Sequence, residues 1–408
     1  MKPQPLKSII AAVTLLGIIL ILSVSCMSAL PLGDGETVTV RYFSEGSEIA
    51  SQVLSAKDRL EIPKAPVREG YKFNGWWVTC DEGVVEFDRK WLAENLDGSE
   101  VIVNALWLNT SYTIEQLDIS FPTISSTIQD GLVCNGMLFK FNSDGMCYIF
   151  DLSSGKKVGA LMLNGTDSYL PHCNAVCFGS TYYEEGDEFP LLYANIYNSY
   201  NKDNYEDKRA GMVCVYRLRR TSETRFSTTL VQVIRIDFAE FSPWRSKWDA
   251  EAQAFTDRSP WGNFIIDTDS NKLWAFVTRD ANHTTRFFCF DIPAVNKDSL
   301  EVVKLGTGDV QRTFDIPYSW YLQGACYHDG KIYSTEGMGT EANPTRIRVV
   351  DLENGIEDSV IDLFADQAKG SGAREAEFID FADGVCYYGD YKKINNSPTV
   401  YLYRITGI

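Results

Sequence analysis

Histidine is almost missing from this chain: three in 408 residues. His172, His283 and His328 come with no Gly-x-Ser-x-Gly turn, so the sequence gives Ser-His-Asp hydrolysis no support. A His-Glu-x-x-His helix and zinc-type cysteine pairs are also missing, which leaves His172, Cys173 and Cys177 without a metal-binding pattern, and no metal is expected there. Basic charge is scarce. There are 38 Lys and Arg against 55 Asp and Glu, a formal charge of -17. That excess argues against a nucleic-acid partner, because phosphate binding draws on clustered cations. The one short basic run, "YRLRR" at 216–220, reads as the solvent face of a strand. From residue 112 onward long helical periodicity is absent too, which points away from a bundle and toward sheets.

The N-terminus carries a leader. Lys2 and Lys7 precede an uncharged apolar run from Ile9 to Leu22, followed by small residues and Cys26. This is the layout of a secretory signal. The run is shorter than the roughly 20 residues that span a bilayer comfortably. "LSVSC" resembles a bacterial lipobox, which implies lipid on Cys26 and a membrane association through that anchor only. The family prefers Leu three residues before the cysteine, and here Ser23 holds that place. Ordinary cleavage and an uncleaved anchor are the alternatives. Residues 1–26 are thus expected to be a signal with lipidated Cys26, and 27–36 a linker.

Ten cysteines in an exported chain would ordinarily mean disulfides. Their surroundings say otherwise. Cys134, Cys147, Cys177, Cys214, Cys289, Cys326 and Cys386 lie inside runs such as "MCYIF", "MVCVY" and "FFCFD", where a thiol acts as a small hydrophobe. Free, buried thiols are the expectation.

Residues 37–108 read as a small β-rich unit. "TVTVRYF", "YKFNGWW" and "EVIVNALW" are strands, and "FDRKWLAENL" is a short helix with Phe87, Trp91 and Leu92 on one face. Pro66 fixes the backbone and Gly70 frees it just before the aromatic strand. "P-x-R-E-G-Y-x-F-x-G-W-W", Pro66 to Trp77, followed by "ALW" at 105–107, resembles the Listeria–Bacteroides repeat, also called the internalin B-repeat. The resemblance implies a β-grasp-like module of bacterial surface proteins, with no catalytic residues. The family often occurs in tandem, whereas this chain has one copy. Trp76 and Trp77 are read as core, with an exposed stacking surface as the alternative.

Residues 112–408 repeat a pattern. "IQDGLVCNG", "PHCNAVCFG", "PWGNFIIDTD", "LQGACYHDG" and "EAEFIDFADG" each open polar, enter an apolar strand and end in a turn. A second and a third strand-like run follow each, and in the first four a fourth. Spacing is roughly 40 to 60 residues, except in the longer second unit. The pattern predicts an all-β chain: the small module followed by a five-bladed β-propeller, with "YTIEQLDISF" at 112–121 completing the last blade. A sixth blade hidden in the second unit is the alternative. Within that unit Trp244, Trp248, Ala252 and Phe255 recur at helical spacing.

The loops leading into innermost strands are the usual ligand face of a propeller. They gather His172, Asn174, Trp261, Asn263, Trp320, Tyr321, Gln323 and Arg374, with Tyr169 and Tyr318 nearby. Aromatic planes beside amides and carboxylates suit a glycan. Packing of blade against blade is the competing role. Glu375 and Glu377 are the sharpest candidates for catalysis: two apart on a strand, their roots are about 6.6 Å apart, near the roughly 6.5–9.5 Å of an inverting glycosidase pair. Such a pair also bonds a neighbouring arginine, or holds a calcium ion on the axis; no other cofactor is expected. The leading reading is a non-catalytic lipoprotein at the bacterial cell surface that binds a glycan or a surface protein. The alternatives are a glycoside hydrolase-like enzyme using the two glutamates, and a structural component of a surface assembly.

Overall fold

The computed structural model describes residues 30–80, 83–96, 99–117, 128–163, 172–195, 212–236, 247–249, 254–257, 263–278, 285–316, 322–364, 375–394 and 397–408. The leader and Cys26 lie outside them. The fold is all-β and propeller-like.

The N-terminal unit is one mixed sheet. Strands β1 (Val38–Ser44) and β2 (Ser47–Leu54) form a hairpin, β3 (Tyr71–Cys80) and β4 (Gly83–Glu86) another, and helix α1 (Arg89–Asn95) leads to β5 (Glu100–Asn109). The order is β2-β1-β5-β3-β4, with β1 and β5 parallel. Asp88 caps the helix by accepting the Trp91 N–H at 2.7 Å. Phe87 and Leu92 are buried, and Trp91 packs beside them. Leu30, in the expected linker, also enters this core. Strand β2 is a polar stretch in sequence and was not expected.

The rest is a set of sheets. Strand β6 (Thr113–Gln116) stands apart in sequence from the sheet it joins. The first sheet holds β7 (Ile128–Cys134), β8 (Met137–Asn142), β9 (Met146–Asp151) and β10 (Lys157–Met162). The second holds β11 (Val176–Phe178), β12 (Leu192–Asn195), β13 (Met212–Ser222) and β14 (Arg225–Ile236). Strands β15 (Lys247–Asp249) and β16 (Ala254–Asp257) then pair antiparallel, where the spacing of Trp248 and Phe255 predicted a helix. Those two residues face each other across the pair, so the 3.6-residue match was coincidental. The third sheet has β17 (Asn263–Asp267), β18 (Lys272–Thr278) and β19 (Thr285–Asp291); β20 (Glu301–Leu305) leaves it to extend the second sheet beyond β14, and β21 (Val310–Ile316) returns. The fourth has β22 (Leu322–His328), β23 (Lys331–Glu336), β24 (Arg346–Asp351) and β25 (Ile356–Asp362). The last has β26 (Glu375–Ala382), β27 (Val385–Ile394) and β28 (Ser397–Thr406), and β6 is its fourth strand, as expected.

First strands touch in a circuit: β7 with β11, β11 with β17, β17 with β22, β22 with β26, and β26 with β7. Apolar clusters fill the spaces between neighbouring sheets, including the eight described cysteines that are free thiols. Asp-Leu closes the third strand-like run twice, at 151–152 and 351–352, and the repetition has a local cause. Asp151 and Asp351, at the ends of β9 and β24, accept the backbone N–H three residues on at 2.8 and 3.0 Å and so fold the turn into the outer strand.

Arg68 of the "REGY" stretch joins the two parts. It donates to both carboxylate oxygens of Asp358 on β25 at 3.1 and 3.2 Å and to that residue's carbonyl at 3.1 Å. It also pairs with Glu45 at 3.1 Å and lies 3.7 Å from the centre of the Tyr71 ring. Leu108 on β5 meets Val360 on β25, so the module's sheet runs into the fourth sheet. Gly70, at φ +79, lets the chain pass Ser111, whose hydroxyl would stand 2.8 Å from a Cβ there.

Asp358 is buried and keeps Lys331 at 3.3 Å when Arg68 is removed. Arg68→Ala is therefore expected to destabilise the seam by about 2 kcal/mol, below the usual loss for an orphaned buried charge. Calorimetry should show the single unfolding transition of the wild type split in two; one unshifted transition would refute the clamp.

Candidate functional site

The five leading segments place a polar residue at one matched position: Asp130, Asn174, Asn263, Gln323 and Glu377. Three of the strands bulge there. Between β7 and β8, Ile128 faces Asn142 but Gly131 faces Lys140, one residue too many on β7. On β22 the extra residue falls between Leu322 and Ala325, and on β26 it is Glu377. A bulge re-aims the side chain at its centre. Gly324 makes the approach possible: a Cβ would sit 2.6 Å from Asp130 Oδ1 and 2.8 Å from the Glu377 carbonyl oxygen.

Hydrogen bonds run from sheet to sheet through this ring. Asp130 accepts the Gly131 N–H at 2.7 Å and, across to the second sheet, the Val176 N–H at 2.8 Å. Asn174 donates to Asn263 Oδ1 at 3.4 Å, and Asn263 donates to the Gln323 carbonyl. Asn195 on β12 donates to Asn174 Oδ1 and accepts the Ala175 N–H at 3.3 Å. Asp380, one step farther along β26, accepts the Val133 N–H of β7 at 2.6 Å and the Phe381 N–H at 2.9 Å. Asn174 and Asn263 are buried and engaged in joining sheets. His172, Gln323 and Glu375 stay partly exposed beside them. Trp261, Trp320, Tyr321 and Arg374 lie outside the described residues.

Burial sets the charge state. Burial pushes the Asp130 carboxyl well above the ordinary carboxylate range despite its two N–H donors, and takes Asp380 up to about 7. Burial, and next the adjacent Glu375, also push Glu377 well up. Burial therefore favours the neutral form of the Glu377 carboxyl. The two carboxyls are in hydrogen-bond contact, closer than the roughly 6.5–9.5 Å that leaves room for an attacking water. The side chains turn toward each other at the bulge, which strand spacing alone does not show. Burial pulls the His172 imidazole down, keeping it neutral. Among the described residues no group of three or more His, Cys, Asp or Glu is placed to hold a metal ion.

Asp130, Asn195 and Asp380 escaped the sequence reading. Asp130 had a signal, since it occupies the same place in its repeat as Asn174 and Gln323. A cavity of about 570 Å³, lined by Leu117, Gly136, Asp151, Leu152, Ser153, Tyr387 and Arg404, lies past the far end of β7 and not at the ring.

No protein-family model matches the chain, and no curated protein does. Among solved structures, it is similar to a Myxococcus xanthus glutaminyl cyclase, at 13% identity and TM-score 0.38, over 73% of this chain and 98% of that one. It is also similar to the tail fiber of Staphylococcus aureus phage P68, at 11% identity and TM-score 0.36, over 72% of this chain and 52% of the fiber chain. At this distance neither likeness carries an argument about function.

A raised carboxyl binds more protons folded than unfolded, so its contribution is full below the unfolded value and is lost as pH rises toward the folded one. For Asp380 that window runs from 3.8 to about 7. Glu377→Gln removes one such group. The stability difference, variant minus wild type, should grow as pH rises above 4.5. Chemical denaturation at pH 4, 5.5 and 7 measures it, and a flat difference would show that Glu377 ionises freely.

Proposed function

We propose that this is an exported bacterial surface protein, held to a membrane by lipid on Cys26, whose propeller binds a glycan at the end where the inner strands begin. The observation that carries the reading is the ring of polar positions with His172, Gln323 and Glu375 partly exposed at its rim. Amide, imidazole and carboxylate groups are what sugar hydroxyls bond, and the aromatic residues Trp261, Trp320 and Tyr321 belong to the same leading segments in sequence, as does Arg374. The proposal counts five blades, supported by the closed circuit of five first strands. It takes residues 37–108 as an internalin-type, β-grasp-like repeat, supported by the mixed sheet with one helix. Among the described residues no helix is long and apolar enough to cross a membrane, and the leader and anchor rest on the sequence alone.

A second reading, a glycoside hydrolase-like enzyme, draws on the raised proton affinity of Glu377, which a general acid requires, while its contact with Glu375 counts against the inverting geometry.

Two measurements test these statements. Cys26→Ala should abolish radiolabelled palmitate incorporation and release the protein from membranes; unchanged labelling removes the anchor. Full-length protein in detergent, incubated with host, plant and bacterial polysaccharides, should be retained without new reducing ends, and retention should fall about tenfold, or 1.4 kcal/mol, in Gln323→Ala. New reducing ends that vanish in Glu377→Gln establish the second reading. Retention of a surface protein and of no polysaccharide overturns the glycan.

A further inference from the structure

The two adjacent tryptophans of the "GWW" stretch part company in the structure. Trp76 is 5% exposed, its ring packed edge-on to Tyr42 and Phe73, and its Nε1 donates to the Pro63 carbonyl at 3.3 Å. Trp77 points to the other side of the sheet, partly exposed and outside the module's core cluster. Its Nε1 donates to the Asn74 carbonyl at 3.0 Å, which holds the indole over Gly75; a Cβ on Gly75 would stand 3.1 Å from that nitrogen. The ring is thus fixed in place without being used for packing.

Its neighbours on that face are arranged in a row. Phe43 on β1 is level with Asn104 on β5, Asn104 with Trp77 on β3, and Trp77 with Glu86 on β4. Phe43 and Asn104 are partly exposed, Glu86 is exposed, and Phe43 too lies outside the core cluster. On the same face Ile102, two residues before Asn104 on β5, and Val53 on β2 are 48% and 64% exposed. Arg41, its guanidinium 5.1 Å from the centre of the Phe43 ring, is paired with Glu48 at 2.7 Å and with Glu100 at 3.2 Å, so the charges beside the rings offset in part and leave a negative excess. A face with two rings and an amide between them, its one exposed unpaired cation among the described residues, Lys72, lying level with Leu108 toward the seam, suits an uncharged ligand that is flat on one side and hydroxylated at its edges.

We infer that the outer face of the N-terminal sheet, with Trp77 and Phe43 flanking Asn104, is a platform for an extended β-1,4-linked neutral glycan. Trp77 and Phe43 stand two strands apart, about 9.6 Å, close to the length of two sugar units in such a chain. Alternate sugars stack on the two rings, and the unit between them meets the Asn104 amide. Glu86 accepts a hydroxyl beyond Trp77. A polyanionic glycan is disfavoured by the -17 charge of the chain. This platform is separate from the propeller ring and does not rest on that reading.

Affinity electrophoresis of the full-length protein in detergent tests it, in gels containing hydroxyethylcellulose, β-1,4-xylan or no polysaccharide. Wild-type protein should be retarded in at least one β-1,4-glycan gel. Trp77→Ala should weaken that binding about tenfold and Phe43→Ala less, while Trp77→Phe restores most of it, as stacking requires. Because Trp77 lies outside the core, thermal unfolding of Trp77→Ala should match wild type, which separates lost binding from lost folding. Absence of retardation in both gels, or retardation that survives Trp77→Ala combined with Phe43→Ala, overturns the inference. Self-association that Trp77→Ala abolishes, without retardation, also overturns it and makes the face a contact between copies.

Discussion

A carboxyl group that takes a backbone N–H from the neighbouring sheet is the contact on which the ring depends. Asp130, fully buried, does this for Val176, and Asp380, partly exposed, does it for Val133, each at under 3 Å. Apolar packing between sheets is non-directional and would tolerate sliding. A carboxyl bonded to one particular N–H does not. The bulges put these groups where they reach, and Gly324 admits the strands to that distance. The raised affinities of Asp130 and Glu377 for protons follow from the same burial. Polar groups near the axis therefore differ in place: the most buried fix the geometry, and His172, Gln323 and Glu375 are partly exposed beside them.

Much of the fold was legible because each strand signal was short and ended in its own turn. Asp151 and Asp351 close the third strand and begin the turn, so a repeated Asp-Leu was a sound sign of repeated structure. Strand β2 was missed because its exposed positions are polar or isolated and its pattern has no apolar stripe. The spacing of Trp248 and Phe255 was misread because the two meet across a strand pair, a relation that mimics helical spacing over seven residues; Trp244 and Ala252 of the same pattern lie outside the described residues. The site was half visible. Asn174, Asn263, Gln323 and Glu377 were found from their place ahead of apolar runs. Their division into buried joints and open rim was not, since that depends on bulges, and a bulge is a property of two strands, not of one sequence window. The contact between Glu375 and Glu377 was hidden for the same reason.

The N-terminal unit gains a sharper physical description than its aromatic motif suggested. Its arginine, glycine and tyrosine serve the junction with the fourth sheet, while its phenylalanine and first tryptophan serve the core. The sheet that begins in the module passes through β5 into β25, so the two parts share backbone pairing as well as side-chain contacts. An orientation held in this way turns the outer sheet face and the ring into surfaces at a constant distance from each other.

The pairing of β6 with β28 sets an order of events in the life of the chain. Thr113 lies against Thr406, so the last sheet has its outer strand near the beginning of the ring and its other three near the end. During synthesis the first sheet lacks its second neighbour until almost the whole polypeptide has emerged, because β7 meets β26. A ring built this way stays open until its two distant segments come together, so closure is the contact of greatest sequence separation and comes last.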